Sequence, residues 1–194
     1  MRRLLIAALF SFSVFGFAAC GGGGNSDEDQ ISEVIETTAT TNADSNCTDL
    51  ETQSFVEQAN FSTGKDAVAA CKDSGPESNA DSVKVTEIEV DGDRATAHAT
   101  LSGSTFDGQT LVVSLVKDGD QWQMDHIDDI VGFDAKRFGE AFAAGATRGG
   151  DLNQTEARCI ASNFAEQDPG DLKAAVLSGD PTRLASTFQG CLGP

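Results

Sequence analysis

SVKVTEIEVDGDRATAHATLSGSTFDGQTLVVSLVKDGDQWQMDHIDDI, residues 82 to 130, is the stretch whose reading decides the fold. Four strand-like runs, SVKVTEIEV, RATAHATLS, QTLVVSLVK and QWQMDHI, are separated by Asp91-Gly92-Asp93, by a loop holding Phe106-Asp107-Gly108, and by Asp118-Gly119-Asp120. Asp-Gly between alternating runs is a strong hairpin signal, because glycine adopts the positive φ that turns matching the strand twist require. The runs therefore predict a four-stranded antiparallel meander. In the second run Ala95, Ala97, Ala99 and Leu101 share one face, and Arg94, Thr96, His98 and Thr100 the other, so one face packs and one is wet. The first run slips register near Thr86 and Glu87, which predicts a bulge that bends the sheet. The third run is apolar on both faces and should be central. Alternation in the fourth puts Trp122, Met124 and His126 together, opposite Gln121, Gln123 and Asp125.

Helical patterns flank the sheet. Upstream, Ile31, Val34, Ile35 and Thr38 make one face of a helix over 28–40, with acids Asp27, Glu28 and Asp29 at its start. Thr48 and Glu51 have capping-box spacing before Phe55, Val56 and Ala59, and Thr63 opens a third, short helix stopped by Ser74-Gly75-Pro76. Downstream, Phe138, Ala141 and Phe142 form a stripe ending at Gly149-Gly150. Asn153 and Glu156 cap the next helix, and Asp168-Pro169 and Asp180-Pro181 repeat one start signal, an acidic N-cap with proline at the first helical position. Four phenylalanines, 138, 142, 164 and 188, need burial within this module, against the sheet or in a partner; the sheet is preferred.

The chain opens MRRLLIAALFSFSVFGFAAC: two arginines, an apolar run over 4–19 too short for the ~20 residues of a spanning helix, then small residues before Cys20. This marks residues 1–19 as a signal peptide. A glycine tether follows within residues 20–27. The Phe-Ala-Ala-Cys end resembles the lipobox of bacterial lipoproteins, although leucine is usual where Phe17 stands. The resemblance implies that Cys20 carries diacylglycerol and that the protein is held at the extracytoplasmic face of the cell membrane. Two or three acyl chains anchor durably at ~0.8 kcal/mol per buried CH₂.

The formal net charge is −18, and setting Arg2 and Arg3 aside with the leader makes the remainder more acidic still. Such a chain repels phosphate backbones, which excludes nucleic acid as a partner. Cys47, Cys71, Cys159 and Cys191 remain after Cys20, an even number that predicts two disulfides in an exported chain. Of three possible connectivities, Cys47–Cys71 with Cys159–Cys191 is preferred, since each pair brackets a helical segment. Neither pair has CxxC spacing, so no zinc or other metal site and no cofactor is expected.

Three helices followed by a curved antiparallel sheet, the Val-Asp-Gly-Asp-Arg-Ala run over 90–95 and the Trp122 strand together resemble the NTF2-like (SnoaL-like, cystatin-related) domains carried by many bacterial lipoproteins. The expectation is an α+β fold: an NTF2-like cone over residues 28–133, three helices on a curved four-stranded sheet, then a small helical module over 134–194. In catalytic members the cone's mouth holds an Asp or His base, with a Tyr or an acid donating to an oxyanion. This chain has no tyrosine, so isomerase-like chemistry in its usual form is disfavoured. The leading expectation is a non-catalytic binding protein that holds a small apolar ligand or an envelope protein partner, with Trp122, Met124 and His126 as candidate pocket residues. The rivals are a cavity enzyme using His126 and Asp125 for proton transfer, and a structural envelope spacer. A cation among Asp125, Asp128 and Asp129 is conceivable, though their spacing matches no calcium loop.

Overall fold

The computed structural model describes residues 26–74 and 79–192; the expected signal peptide over residues 1–19, Cys20 and the glycines after it lie outside the described residues. The fold is α+β: helices α1 (Asp27–Thr40), α2 (Gln53–Ala59) and α3 (Gly64–Asp73), strands β1 (Ser82–Asp91), β2 (Arg94–Ser102), β3 (Thr110–Asp118) and β4 (Gln121–Val131), then α4 (Ala135–Gly149), α5 (Gln154–Glu166), α6 (Pro169–Leu177) and α7 (Pro181–Phe188). The sheet is an open antiparallel meander in the order β1-β2-β3-β4. Gly92 and Gly119 take φ of 61° and 62° in the two tight hairpins, as the Asp-Gly signals require. No described helix is long and apolar enough to cross a membrane.

Helix α1 opens with a reciprocal Ser26/Asp29 capping box and buries Ile31, Val34 and Ile35. It meets both edge strands, β1 and β4, and so lies across the sheet's inner face. Its N-terminus is fixed to the β3–β4 hairpin by Asp27, which accepts hydrogen bonds from Lys117 Nζ (2.6 Å) and Trp122 Nε1 (3.0 Å). The second helix starts later than its capping-box spacing predicts. Asn46–Leu50 form a π-helical turn and Glu51 runs extended beside Met124, so the cap of α2 is Thr52, whose hydroxyl accepts from Phe55 N. Backbone pairing with β4, through Thr52 N donating to Met124 O at 2.8 Å, outcompetes one more turn of helix.

Bulges decide which residues face inward. In β1 the pairing jumps from Thr86↔His98 to Glu89↔Thr96, with Glu87 at φ 52°. In β4 Leu115↔Met124 is followed by Ser114↔His126, and Val113↔Ile127 by Val112↔Asp129, so Asp125 and Asp128 are extra residues. Each extra residue reverses the alternation. The inward set becomes Trp122, Met124, Ile127 and Ile130, not Trp122, Met124 and His126. Strict alternation would bury His126 and Asp128 between Met124 and Ile130; two bulges bury Ile127 in their place and keep Ile130 inward.

The C-terminal helices share the core of the sheet, since Phe138, Ile160, Phe164, Leu172 and Leu184 join the same buried cluster as Ile31, Val113 and Trp122. The phenylalanines stack chiefly on one another: Phe138–Phe164 (5.3 Å), Phe142–Phe164 (5.5 Å) and Phe164–Phe188 (6.1 Å). Phe106 and Phe133, flanking the sheet, reach Phe138 at 5.5 and 5.6 Å. The phenylalanines thus share the core of the sheet, as preferred, and within it gather on one another. Gly139 lets α4 and α5 touch, because a Cβ there would lie 2.5 Å from Phe164 Cβ. A second joint is Gln58, buried in α2: its amide donates to Ile127 O (2.9 Å) and Leu177 O (2.7 Å) and accepts from Ile127 N (2.7 Å), tying α2 to β4 and α6.

Candidate functional site

Disulfides link Cys47 to Cys71 and Cys159 to Cys191. The first ties the π-helical turn to α3, and the second ties α5 to the chain end beyond α7. Between the inner sheet face and the segment from α1 to α3 lies a cavity of about 280 Å³. That is close to the lower end of small-molecule sites, roughly 300–1,000 Å³. One wall is apolar, built from Ile35, Phe55, Leu111, Val113 and Met124; alanines 39, 59, 80 and 99 stand where larger side chains would fill the space. The opposite rim carries polar groups used mostly for structure. Asn46 donates to Thr41 O (3.2 Å) and Thr41 Oγ1 (3.0 Å), and Asn79 to Thr40 O (3.3 Å).

Glu51 stands in the cavity wall. The extended backbone that pairs with Met124 aims Thr52 to one side, where its hydroxyl donates to Asp125 (2.9 Å), and Glu51 to the other, against Cys71 Sγ at 3.6 Å. The side chain is mostly buried, and no described residue forms an ion pair with it within 4 Å. Desolvation without compensation pushes its carboxyl from 4.5 up to about 7. A half-cystine sulfur carries no hydrogen, so the contact with Cys71 is satisfied only when the carboxyl is protonated and donates. Thr38 is another residue of the lining; its Oγ1 is buried with no hydrogen-bond partner among the described residues.

The sequence candidates separate. Met124 lines the cavity; Trp122 and His126 do not. Trp122 is fully buried, donates to Asp27, and has Lys117 Nζ 5.3 Å from its ring centroid. The bulge at Asp125 turns His126 to the outer face opposite Ser114, with Ser54 Oγ 3.5 Å from Nδ1. Asp125 accepts from Thr52 and supports the start of α2. Proton transfer by His126 and Asp125 inside the cavity therefore has no geometric basis. The three aspartates of β4 do not converge either: Asp129 pairs with Lys173 of α6, which holds its carboxyl below the usual range, and Asp128 is exposed. His98 sits outside the cavity, 3.2 Å from Glu87. The sulfurs of Cys47 and Cys71 and the Glu51 carboxylate lie within 4.8 Å of one another, but disulfide sulfurs are not the thiolates a metal needs.

Glu51 escaped sequence reading because its spacing from Thr48 fits a helix cap. Only the pairing with β4, from a distant part of the chain, turns it inward. Comparison with protein-family models, curated proteins and solved structures finds no match to this chain.

Proposed function

We propose that the chain is a lipid-anchored extracytoplasmic binding protein that holds a small apolar molecule in the cavity between α1–α3 and the sheet, and that residues 28–133 form an NTF2-like cone. One observation carries this reading: a volume of about 280 Å³ stays open, walled by core side chains, at the place where the fold could have been packed shut. Well-packed interiors leave few voids larger than a water molecule. Helices before the sheet, and α1 laid across its inner face, agree with the NTF2-like resemblance. The lipobox-like Cys20 would keep the cavity near the membrane surface, where apolar molecules concentrate.

Fluorescence of N-phenyl-1-naphthylamine tests the reading. The soluble chain should enhance its emission saturably, and Ala99→Phe, which grows a ring into the cavity from the sheet floor, should abolish the enhancement while leaving the fold intact by circular dichroism. No enhancement, or equal enhancement by the Phe variant, refutes it.

A second reading, a cavity enzyme, is favoured by the Glu51 carboxyl itself, since a group titrating near 7 is suited to general acid–base catalysis. Its test is exchange of the α-hydrogens of a small ketone with deuterated water, which Glu51→Gln should abolish.

A further inference from the structure

We propose that Glu51 is the polar recognition group of the cavity, donating a hydrogen bond from its carboxyl to a neutral oxygen of the bound molecule, so that the ligand class is a small apolar carbonyl compound. The inference rests on the binding reading above and goes beyond it by naming the chemistry of the ligand.

Three features of the geometry converge. The backbone that carries the side chain is held in place, because Glu51 is bridged to Met124 and the next residue hydrogen-bonds to β4 at 2.8 Å. Its neighbour is a disulfide sulfur at 3.6 Å, an acceptor only, so the wall is complementary to a carboxyl that donates. And among the described residues it has no ion pair. The groups around it do not change this account. Besides Glu51, the charged residues of the lining are Asp44 in the loop after α1 and Lys72 on α3; α1 offers Ile35, Thr38 and Ala39, α2 only Phe55 and Ala59, and the strands nothing titratable.

A protonated carboxyl has one O–H; among the described residues it reaches only Cys71 Sγ, a weak acceptor at 3.6 Å, which a ligand oxygen would displace as the acceptor. A neutral carbonyl oxygen fills that role with no charge to desolvate. An ammonium ligand would instead need an ionised Glu51 in a wall that gives the carboxylate no N–H, and burying an ion pair without such support is unfavourable.

The experiment uses the soluble chain with both disulfides intact and a matched pair of ligands, 2-acetylnaphthalene and 2-ethylnaphthalene, each displacing N-phenyl-1-naphthylamine between pH 5.5 and 8.5. At pH 5.5 the ketone should bind roughly tenfold more tightly than the hydrocarbon. Its advantage should decay as pH rises through about 7, while hydrocarbon affinity stays flat. Glu51→Gln retains an N–H donor and should keep the preference at every pH. Glu51→Leu should lose it. Equal affinities in the native chain at pH 5.5, a preference independent of pH, or a preference surviving in the Leu variant overturns the proposal and leaves the binding reading standing. If neither naphthalene displaces the fluorophore, the binding reading falls, and the carbonyl proposal with it.

Discussion

Replacing Glu51 by Gln should change how stability depends on pH, and the size of the change follows from the structure. Its carboxyl titrates near 4.5 in an unfolded chain and near 7 in the folded one. Between those values the folded state binds more protons than the unfolded state, so stability falls as pH rises. The contribution is fully present below about 4.5 and is lost through about 7. At about 1.36 kcal/mol per pH unit the loss is at most about 3 kcal/mol. For a chain of this size that corresponds to a fall in melting temperature of roughly 6–12 °C. Asp27, Glu57, Asp129 and Asp180 have lowered values and act with the opposite sign, but below the ordinary carboxylate range. The difference between native and Glu51→Gln chains therefore isolates Glu51. Thermal unfolding at pH 5, 6, 7 and 8, disulfides intact, should show the native chain losing stability across this window relative to the variant. Parallel curves for the two chains would refute the account of Glu51 as a desolvated, unpaired acid.

Gln58→Leu keeps the volume but leaves Ile127 N and O and Leu177 O without the amide; a loss of about 2–4 kcal/mol in denaturant unfolding is expected. Gly179 has φ 62° and its Cβ position lies 2.7 Å from Gln58 Cα, so Gly179→Ala should cost about 1–3 kcal/mol, most visibly as faster amide exchange in α6 and α7. His126→Ala should shift stability by less than about 0.5 kcal/mol and leave fluorophore binding unchanged, because the imidazole lies outside the cavity. On the proposal of a lipid anchor at Cys20, Cys20→Ser should move the chain from the membrane to the soluble fraction, measured by fractionation and immunoblot; membrane retention would refute the anchor.

Much of the fold is legible locally. The Asp-Gly hairpins, the alternation of β2, the bulge near Glu87, and the Asn153, Asp168 and Asp180 caps all formed where their residues point, because φ preferences and capping hydrogen bonds act within a few positions. The site was much less legible. Met124 was visible as an inward strand residue, whereas Glu51 read as part of a helix cap and His126 as a pocket residue.

Sequence by itself determined the four-stranded meander, the caps of the C-terminal helices, the acidic charge and the four cysteines downstream of Cys20; each follows from short-range sterics, hydrogen bonding or counting. Tertiary structure alone decided which way β4 faces after each bulge, that the phenylalanines gather on one another, and that Glu51 enters a cavity beside a disulfide. The pair of bulges is decided by the burial of His126 and Asp128 against that of Ile127 over the whole sheet. A carboxyl's proton affinity is set by the water and donors that other segments remove. Both are properties of packed neighbours distant in sequence, and no window along the chain contains them.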